Sequence, residues 1–283
     1  MNNRYEIFER GNIDRLFSAF VDAFSGNQVH FNPPFAQFEK RIFHKLHIED
    51  HISGLILDPA DRVLGFALHT AGVFEGVRTA YNGGMGVVLD QRRTGLANFL
   101  LESTLPLLQK GNINKVLLEV ITSNVAAIRL YESFGFSFRR ELKCFKLYDS
   151  LKHQDEKIEI IQSDSLKEAY RSFWSFPTTF LDSTDHLKYN LENEHILEAH
   201  LDGILAGYII FQPDLGRVSQ LAVADGYRNK GIGKQLLQKA QILSDSKEIT
   251  IMNVPEEQES TIVALEKMGF KNEVDQYEME LII

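Results

Sequence analysis

The sequence predicts an α/β (α+β) protein of two tandem domains, each a mixed, mainly antiparallel sheet flanked by helices. Two stretches share one layout of apolar strand, basic glycine-bearing turn and helix start. They are Val88-Leu89-Asp90-Gln91-Arg92-Arg93-Thr94-Gly95-Leu96-Ala97, and Val218 to Val223 followed by Arg228-Asn229-Lys230-Gly231-Ile232-Gly233. Arg92 and Arg228 are 136 positions apart, while Gly135-Phe136 and Gly269-Phe270 are 134 apart, so two landmarks share nearly one offset. The order of elements also restarts after the polar, aperiodic stretch Asp149 to Glu156. At 283 residues the chain divides naturally into domains at 1–150 and 151–283.

In the first copy Tyr5 to Phe8 reads as a strand, and Ile13 to Phe24 as an amphipathic helix with Ile13, Leu16, Phe17, Phe20, Val21 and Phe24 on one side. Phe31-Asn32-Pro33-Pro34-Phe35 must be a loop, since two prolines interrupt any helix there. Its aromatics either line a pocket or pin the loop to the core. A second helix follows from about Ala36 to Leu46. Ile52 to Leu57, Val63 to Thr70 and Arg78 to Leu89 form an antiparallel meander with turns at Asp58-Pro59 and Glu75-Gly76. Asn82-Gly83-Gly84 inside the third strand suggests a bulge or a close approach of another backbone or ligand. A helix from Gly95 to Lys110, a strand Lys115 to Ile121, a helix capped by Asn124 and stopped by Gly135, and closing strand from Phe136 to Leu147 complete the copy.

The second copy repeats the series. Lys157 to Ile161 is a strand, Leu166 to Trp174 a helix, and Phe176-Pro177-Thr178-Thr179-Phe180 the interrupted loop. His195 to Ala199, Ile204 to Gln212 and Val218 to Ala224 form the meander, followed by the helix Gly231 to Leu243, the strand Ile249 to Val254 and the helix Ser260 to Met268.

Apolar content of 44% and charged content of 24% are those of a globular chain. Residues 1–150 hold 17 Lys+Arg against 16 Asp+Glu, and residues 151–283 hold 13 against 23, which argues against general nucleic-acid binding. Cys144 is the only cysteine, so an intrachain disulfide and a cysteine-based metal site are both excluded, and a reducing cytoplasm fits. The first residues carry no apolar leader, and no segment approaches 18 uncharged apolar residues, so neither secretion nor membrane spanning is expected.

Each glycine-bearing turn is a candidate phosphate cradle. Glycine lets the backbone approach an anion, the first helix N–H groups point at it, and the helix dipole adds about 0.3 to 1 kcal/mol. The pattern, joined to Asn124-x-Ala126-x-x-x-Leu130-Tyr131-x-x-x-Gly135-Phe136, resembles the GCN5-related N-acetyltransferase (GNAT) superfamily, twice over, with Arg-x-x-Gly-x-Gly/Ala between strand and long helix. The resemblance implies acetyl transfer from acetyl-coenzyme A, as co-substrate, to an amine on a small molecule or peptide. It implies that amides around Arg92, Arg93, Thr94, Gly95, Leu96 and Ala97, and around Arg228, Asn229, Lys230, Gly231, Ile232 and Gly233, take the pyrophosphate. Backbone near Gly86, Val87 and Val88, and near Leu221, Ala222 and Val223, would take the pantetheine arm, and Asn124 belongs to the second motif. Thr94 offers a hydroxyl either to a phosphate or as a helix cap.

An amine of pKa near 10.4 is about 3.4 units from its neutral form at pH 7, roughly 4.6 kcal/mol, so a base is useful, and the departing thiolate is helped by a donor. By similarity to ribosomal-protein alanine N-acetyltransferases within the superfamily, Glu119 is the candidate base and Tyr131 the candidate acid. The alternatives are a carboxylate bonded to strand backbone and an amphipathic core tyrosine. Aligned on Gly135 and Gly269, Tyr131 falls on Leu265 and Glu119 on Asn253, which assigns catalysis to the first half; Tyr208 and His200 are the other second-half groups to weigh. The competing readings are a coenzyme A-binding sensor without transfer, and activity in the second half.

Overall fold

A computed structural model describes residues 3–25, 33–151 and 158–283. The expected linker at 149–156, the start of the strand at Lys157 and the loop residues Phe31 and Asn32 fall wholly or largely outside the described residues. Two compact units are present: Met1–Arg139 together with Glu278–Ile283, and Arg140–Tyr277.

The first unit opens with β1 (Arg4–Ile7) and α1 (Ile13–Phe24), then α2 (Phe35–Lys40), which runs on as a π-helical turn over Arg41–Lys45. Every fourth or third apolar residue of α1 faces inward, so Leu16, Ala19, Phe20 and Ala23 are buried. Phe20 stacks on Phe66 at 5.3 Å, and Phe35 meets Phe17 edge to face at 5.3 Å. The meander follows as β2 (Gly54–Leu57), β3 (Val63–Phe74) and β4 (Val77–Val87), paired antiparallel. Glu75 and Gly76 both have positive φ, 52° and 77°, as a tight two-residue hairpin requires. Then come α3 (Leu96–Lys110), β5 (Lys115–Ile121) and α4 (Val125–Ser133). Asn124 caps α4 by accepting from the Ala127 N–H at 3.2 Å, and Gly135, at φ 89°, ends it.

In the second unit β7 (Glu159–Ser163), β8 (His195–Leu201), β9 (Ile204–Gln212) and β10 (Arg217–Val223) form the corresponding meander, and α6 (Ile232–Leu243), β11 (Ile249–Pro255) and α7 (Glu259–Lys267) complete the pattern. The helix expected at Leu166 to Trp174 is instead a 3-10 segment, Glu168–Phe173. It has no side-chain cap, it is too short to be helical unaided, and Tyr170 is drawn to the sheet by a bond to Glu198. Further short turns cover residues 180–193, including a one-turn helix α5 (Thr184–Leu187).

The closing strands are β6 (Ser137–Leu147) and β12 (Lys271–Ile282), and the unit boundaries cut through both. In the second unit β6 from Leu142 pairs antiparallel with β11, Leu147 opposite Ile249. In the first unit the end of β12 lies beside β5, where the Ile283 N–H donates to Asn114 O at 3.1 Å and buried Glu278 pairs with Arg139 at 3.2 Å. Each unit therefore contains the end of a strand that begins in the other unit's sequence.

Candidate active site

In the first unit β4 and β5 run parallel, and pair only over Thr79 to Tyr81 against Lys115 to Leu117. Beyond Tyr81 that pairing ends, and the β3–β4 register slips so that Leu68 lies opposite Gly84 and His69 opposite Asn82. Gly83 is the extra residue, so the bulge sits where the sequence marked it. Asn82 holds it by accepting from the Gly84 N–H at 3.0 Å. In the second unit β10 and β11 pair only at Arg217 and Val218, and the β9–β10 register slips at Ser219, which is 136 positions after Gly83. A strand edge that has parted from its neighbour presents backbone N–H and C=O groups to an extended amide-bearing ligand. Those stretches, residues 85–87 and 221–223, are partly exposed in both units.

The turns after these strands have one conformation twice. Arg93 and Gly95 have φ of 63° and 88°, Asn229 and Gly231 of 61° and 82°. Left-handed residues alternating with others aim successive N–H groups at one point, a concavity suited to an anion, and the helix N-terminus adds to it. Gly95 and Gly231 are the N-caps of α3 and α6, neither helix has a side-chain cap, and a Cβ on Gly95 would meet open space. Both cradles thus fit a phosphate-bearing cofactor.

The arginines that head the cradles act differently from their neighbours. Arg92 Nη2 donates to Ala23 O at 2.6 Å and Nε to Val87 O at 3.5 Å; Arg228 Nη2 donates to Phe173 O at 3.3 Å and Nε to Val223 O at 3.0 Å. Each guanidinium braces the turn against the strand before it and the first helical segment. Thr94 is exposed, and its hydroxyl donates to Gln91 O at 2.6 Å instead of capping the helix. Leu96, Ile232 and Val88 are buried, and the Val88 N–H is bonded to Leu64 O at 3.0 Å. Arg93, Asn229 and Lys230 are exposed, with Lys230 Nζ 5.0 Å from the Tyr227 ring centroid; Ala97 and Gly233 are half-buried at the helix starts.

Glu119, on β5, accepts a hydrogen bond from the Tyr81 hydroxyl on β4. Tyr131, on α4, is 8% exposed, its hydroxyl lies 3.9 Å from Met85 Sδ, and burial pushes its phenol up to about 12. Both side chains are therefore anchored to β4, at residues four apart on either side of the bulge. Tyr81 was not singled out in the sequence, because its partner lies 38 residues away and only the parallel pairing of β4 with β5 brings them together. In the second unit Leu265 is 2% exposed, and Asn253 has φ 62° with its Oδ1 3.7 Å from Cys144 Sγ. Among the described residues no cluster of His, Cys, Asp or Glu has the makings of a metal site, and no helix is long and apolar enough to cross a membrane.

The sequence matches a model of the Acetyltransferase (GNAT) family over residues 13–136 and one of the Acetyltransferase (GNAT) domain over residues 192–272, more than half of the chain between them. No curated protein matches it. Among solved structures, an acetyltransferase-type protein of Pyrococcus horikoshii superposes with a TM-score of 0.74 at 14% identity, covering 100% of this chain and 90% of its own. A GCN5-related N-acetyltransferase from Sphaerobacter thermophilus gives 0.73 at 14%, covering 99% and 95%, and a tandem GNAT protein from the clavulanic acid pathway 0.70 at 12%, covering 99% and 98%. With the two cradles, the two bulged and parted strands and these matches in agreement, the chain belongs to the GNAT acetyltransferase family, carries two of its domains in tandem, and is an acyltransferase.

Proposed function

We propose that the first unit transfers an acetyl group from acetyl-coenzyme A to a primary amine. The observation that carries this is the pair of anchors on β4: Glu119 held by Tyr81 and Tyr131 beside Met85, on either side of the Gly83 bulge and in the same unit as the Gly95 cradle. Amides of residues 92–97 would take the pyrophosphate, and the parted edge of residues 86–88 the pantetheine arm. Asn124, which uses its carbonyl to cap α4, would support the motif without touching the ligand.

Glu119 takes a proton from the ammonium, directly or through water, and the neutral amine attacks the thioester carbonyl carbon. As the C–S bond breaks, the thiolate takes the phenolic proton of Tyr131, the surplus proton on the new amide nitrogen passes to the phenolate directly or through water, and the amide product leaves. A phenol kept protonated by burial, with its hydroxyl beside a weakly accepting sulfur, suits that donor role. The second unit keeps a cradle at residues 228–233 and an arm edge at 221–223, with Leu265 and Asn253 at the positions of Tyr131 and Glu119.

The test is Tyr131→Phe, which is expected to lower acetyl-CoA turnover with an amine panel by about ten- to a thousandfold while coenzyme binding survives. Unchanged turnover would remove Tyr131 from the mechanism. Loss of turnover in Gly231→Glu but not in Gly95→Glu would move the reaction to the second unit.

A further inference from the structure

The two units repeat one strand register, so positions can be matched without reference to any other protein. Gly86 lies opposite Phe66 and Ala222 opposite Tyr208; Leu55 lies opposite Phe66 and Glu198 opposite Tyr208. The arginine braces end on Ala23 and Phe173, which matches Phe20 with Tyr170 and Phe24 with Trp174. The shared geometry persists: Phe20 stacks on Phe66 at 5.3 Å and Tyr170 on Tyr208 at 4.0 Å. Four apolar side chains of the first unit, Leu55, Phe66, Phe20 and Phe24, are thus Glu198, Tyr208, Tyr170 and Trp174 in the second.

The added polar atoms are joined to the overlying segment. Trp174 Nε1 donates to the Tyr208 hydroxyl at 2.6 Å, which donates to Gln220 Oε1 at 2.8 Å. Gln220 Nε2 donates to Asp182 O at 2.6 Å. The Asp182 carboxylate takes both Arg217 nitrogens, at 2.9 and 2.8 Å, and Arg217 also donates to Ser219 Oγ at 3.0 Å. Ser219 in turn donates to buried Glu194 at 3.0 Å. Arg217, Ser219 and Gln220 stand at the positions of Tyr81, Gly83 and Gly84. Gly83 and Gly84 are partly exposed, whereas Ser219 is 7% and Gln220 5% exposed.

We infer that the second unit is a coenzyme-holding domain whose amine-accepting side is latched shut by Asp182. The path of the coenzyme arm at 221–223 is as open as its counterpart at 85–87, and the cradle is intact. The bulge where an amine would approach is covered by side chains that satisfy one another, with Arg217 turned to Asp182 where Tyr81 turns to Glu119. Removing one partner of a bidentate Arg–carboxylate pair as little exposed as this one, 12% and 6%, is destabilising, so the latch is a fixed part of the unit. This inference rests on transfer by the first unit for its contrast only.

Calorimetry with coenzyme A as the probe should count two sites in the wild-type chain and one in Gly95→Glu, and Gly95→Glu should lose at least a hundredfold in turnover of acetyl-CoA with amines although its remaining site is filled. Hydrogen exchange at the Ser219 and Gln220 amides should be slow in the wild type and at least tenfold faster in Asp182→Asn, with β9 still protected. Retained turnover in Gly95→Glu, no coenzyme bound by that variant, or unchanged exchange in Asp182→Asn would each overturn it. If the wild type turns over no amine, the transfer reading fails alone, and the binding count and the exchange rates still decide this one.

Discussion

His69 offers a quantitative test of the frame that carries the first site. It lies on β3 opposite Asn82, at the edge of the bulge, is 2% exposed, and its buried Nδ1 has no hydrogen-bond partner among the described residues. Burial pushes its imidazole from the ordinary 6.5 down to about 4, against a smaller opposite effect of the Ile52 backbone. The unfolded chain therefore takes up the proton first as pH falls. Stability is complete above about pH 6.5, is lost through the interval from there to about pH 4, and changes no further below it on this account. The full loss is about 3 kcal/mol, from 1.36 kcal/mol per pKa unit, and about 2 kcal/mol is gone by pH 5. Urea unfolding at pH 7, 6 and 5 measures this, with His69→Gln as the variant in which that part of the slope disappears. A wild-type stability that stays level between pH 7 and 5, or a His69→Gln variant with an unchanged slope, would refute the reasoning.

Other expectations follow from the same contacts. Arg92→Lys keeps the charge but loses the brace to Ala23 O and Val87 O, and should lower stability by about 1 kcal/mol. In Arg92→Gln, which removes the charge, the salt dependence of coenzyme A affinity should remain, whereas an arginine bound to phosphate would take part of that dependence with it. Asn124→Ala removes the cap on α4 and should cost about 1 kcal/mol in thermal or urea unfolding. Tyr81→Phe frees Glu119 from its anchor and should lower turnover about tenfold with the KM for acetyl-CoA unchanged, which steady-state kinetics can separate.

Much of this was legible in local pattern. Period-two and period-3.6 runs marked α1, the meander and α3, and consecutive glycines marked the bulge at Gly83, because those signals depend only on neighbours in sequence. What escaped depends on distance. The braces run from Arg92 to Ala23 and from Arg228 to Phe173, 69 and 55 residues away, and no motif records which carbonyl a guanidinium will reach. Tyr81 read as one more strand residue until β4 and β5 paired. The segment after Leu166 was misread as a helix because its apolar spacing serves equally well to lay a 3-10 stretch on a sheet. The exchange of strand ends was invisible for a related reason: β6 and β12 carry similar alternation, and either could edge either sheet.

That exchange sets an order of events. The first unit needs Glu278–Ile283 beside β5, so residues made after the second unit complete a unit made before it. Nascent chains must hold the sheet carrying Glu119 unfinished at one edge while the whole second unit is synthesised, and an open edge is the feature most prone to wrong pairing. A chain cut just before Glu278 would lose a strand end of the first unit, far away in sequence, before it lost any core residue of the second.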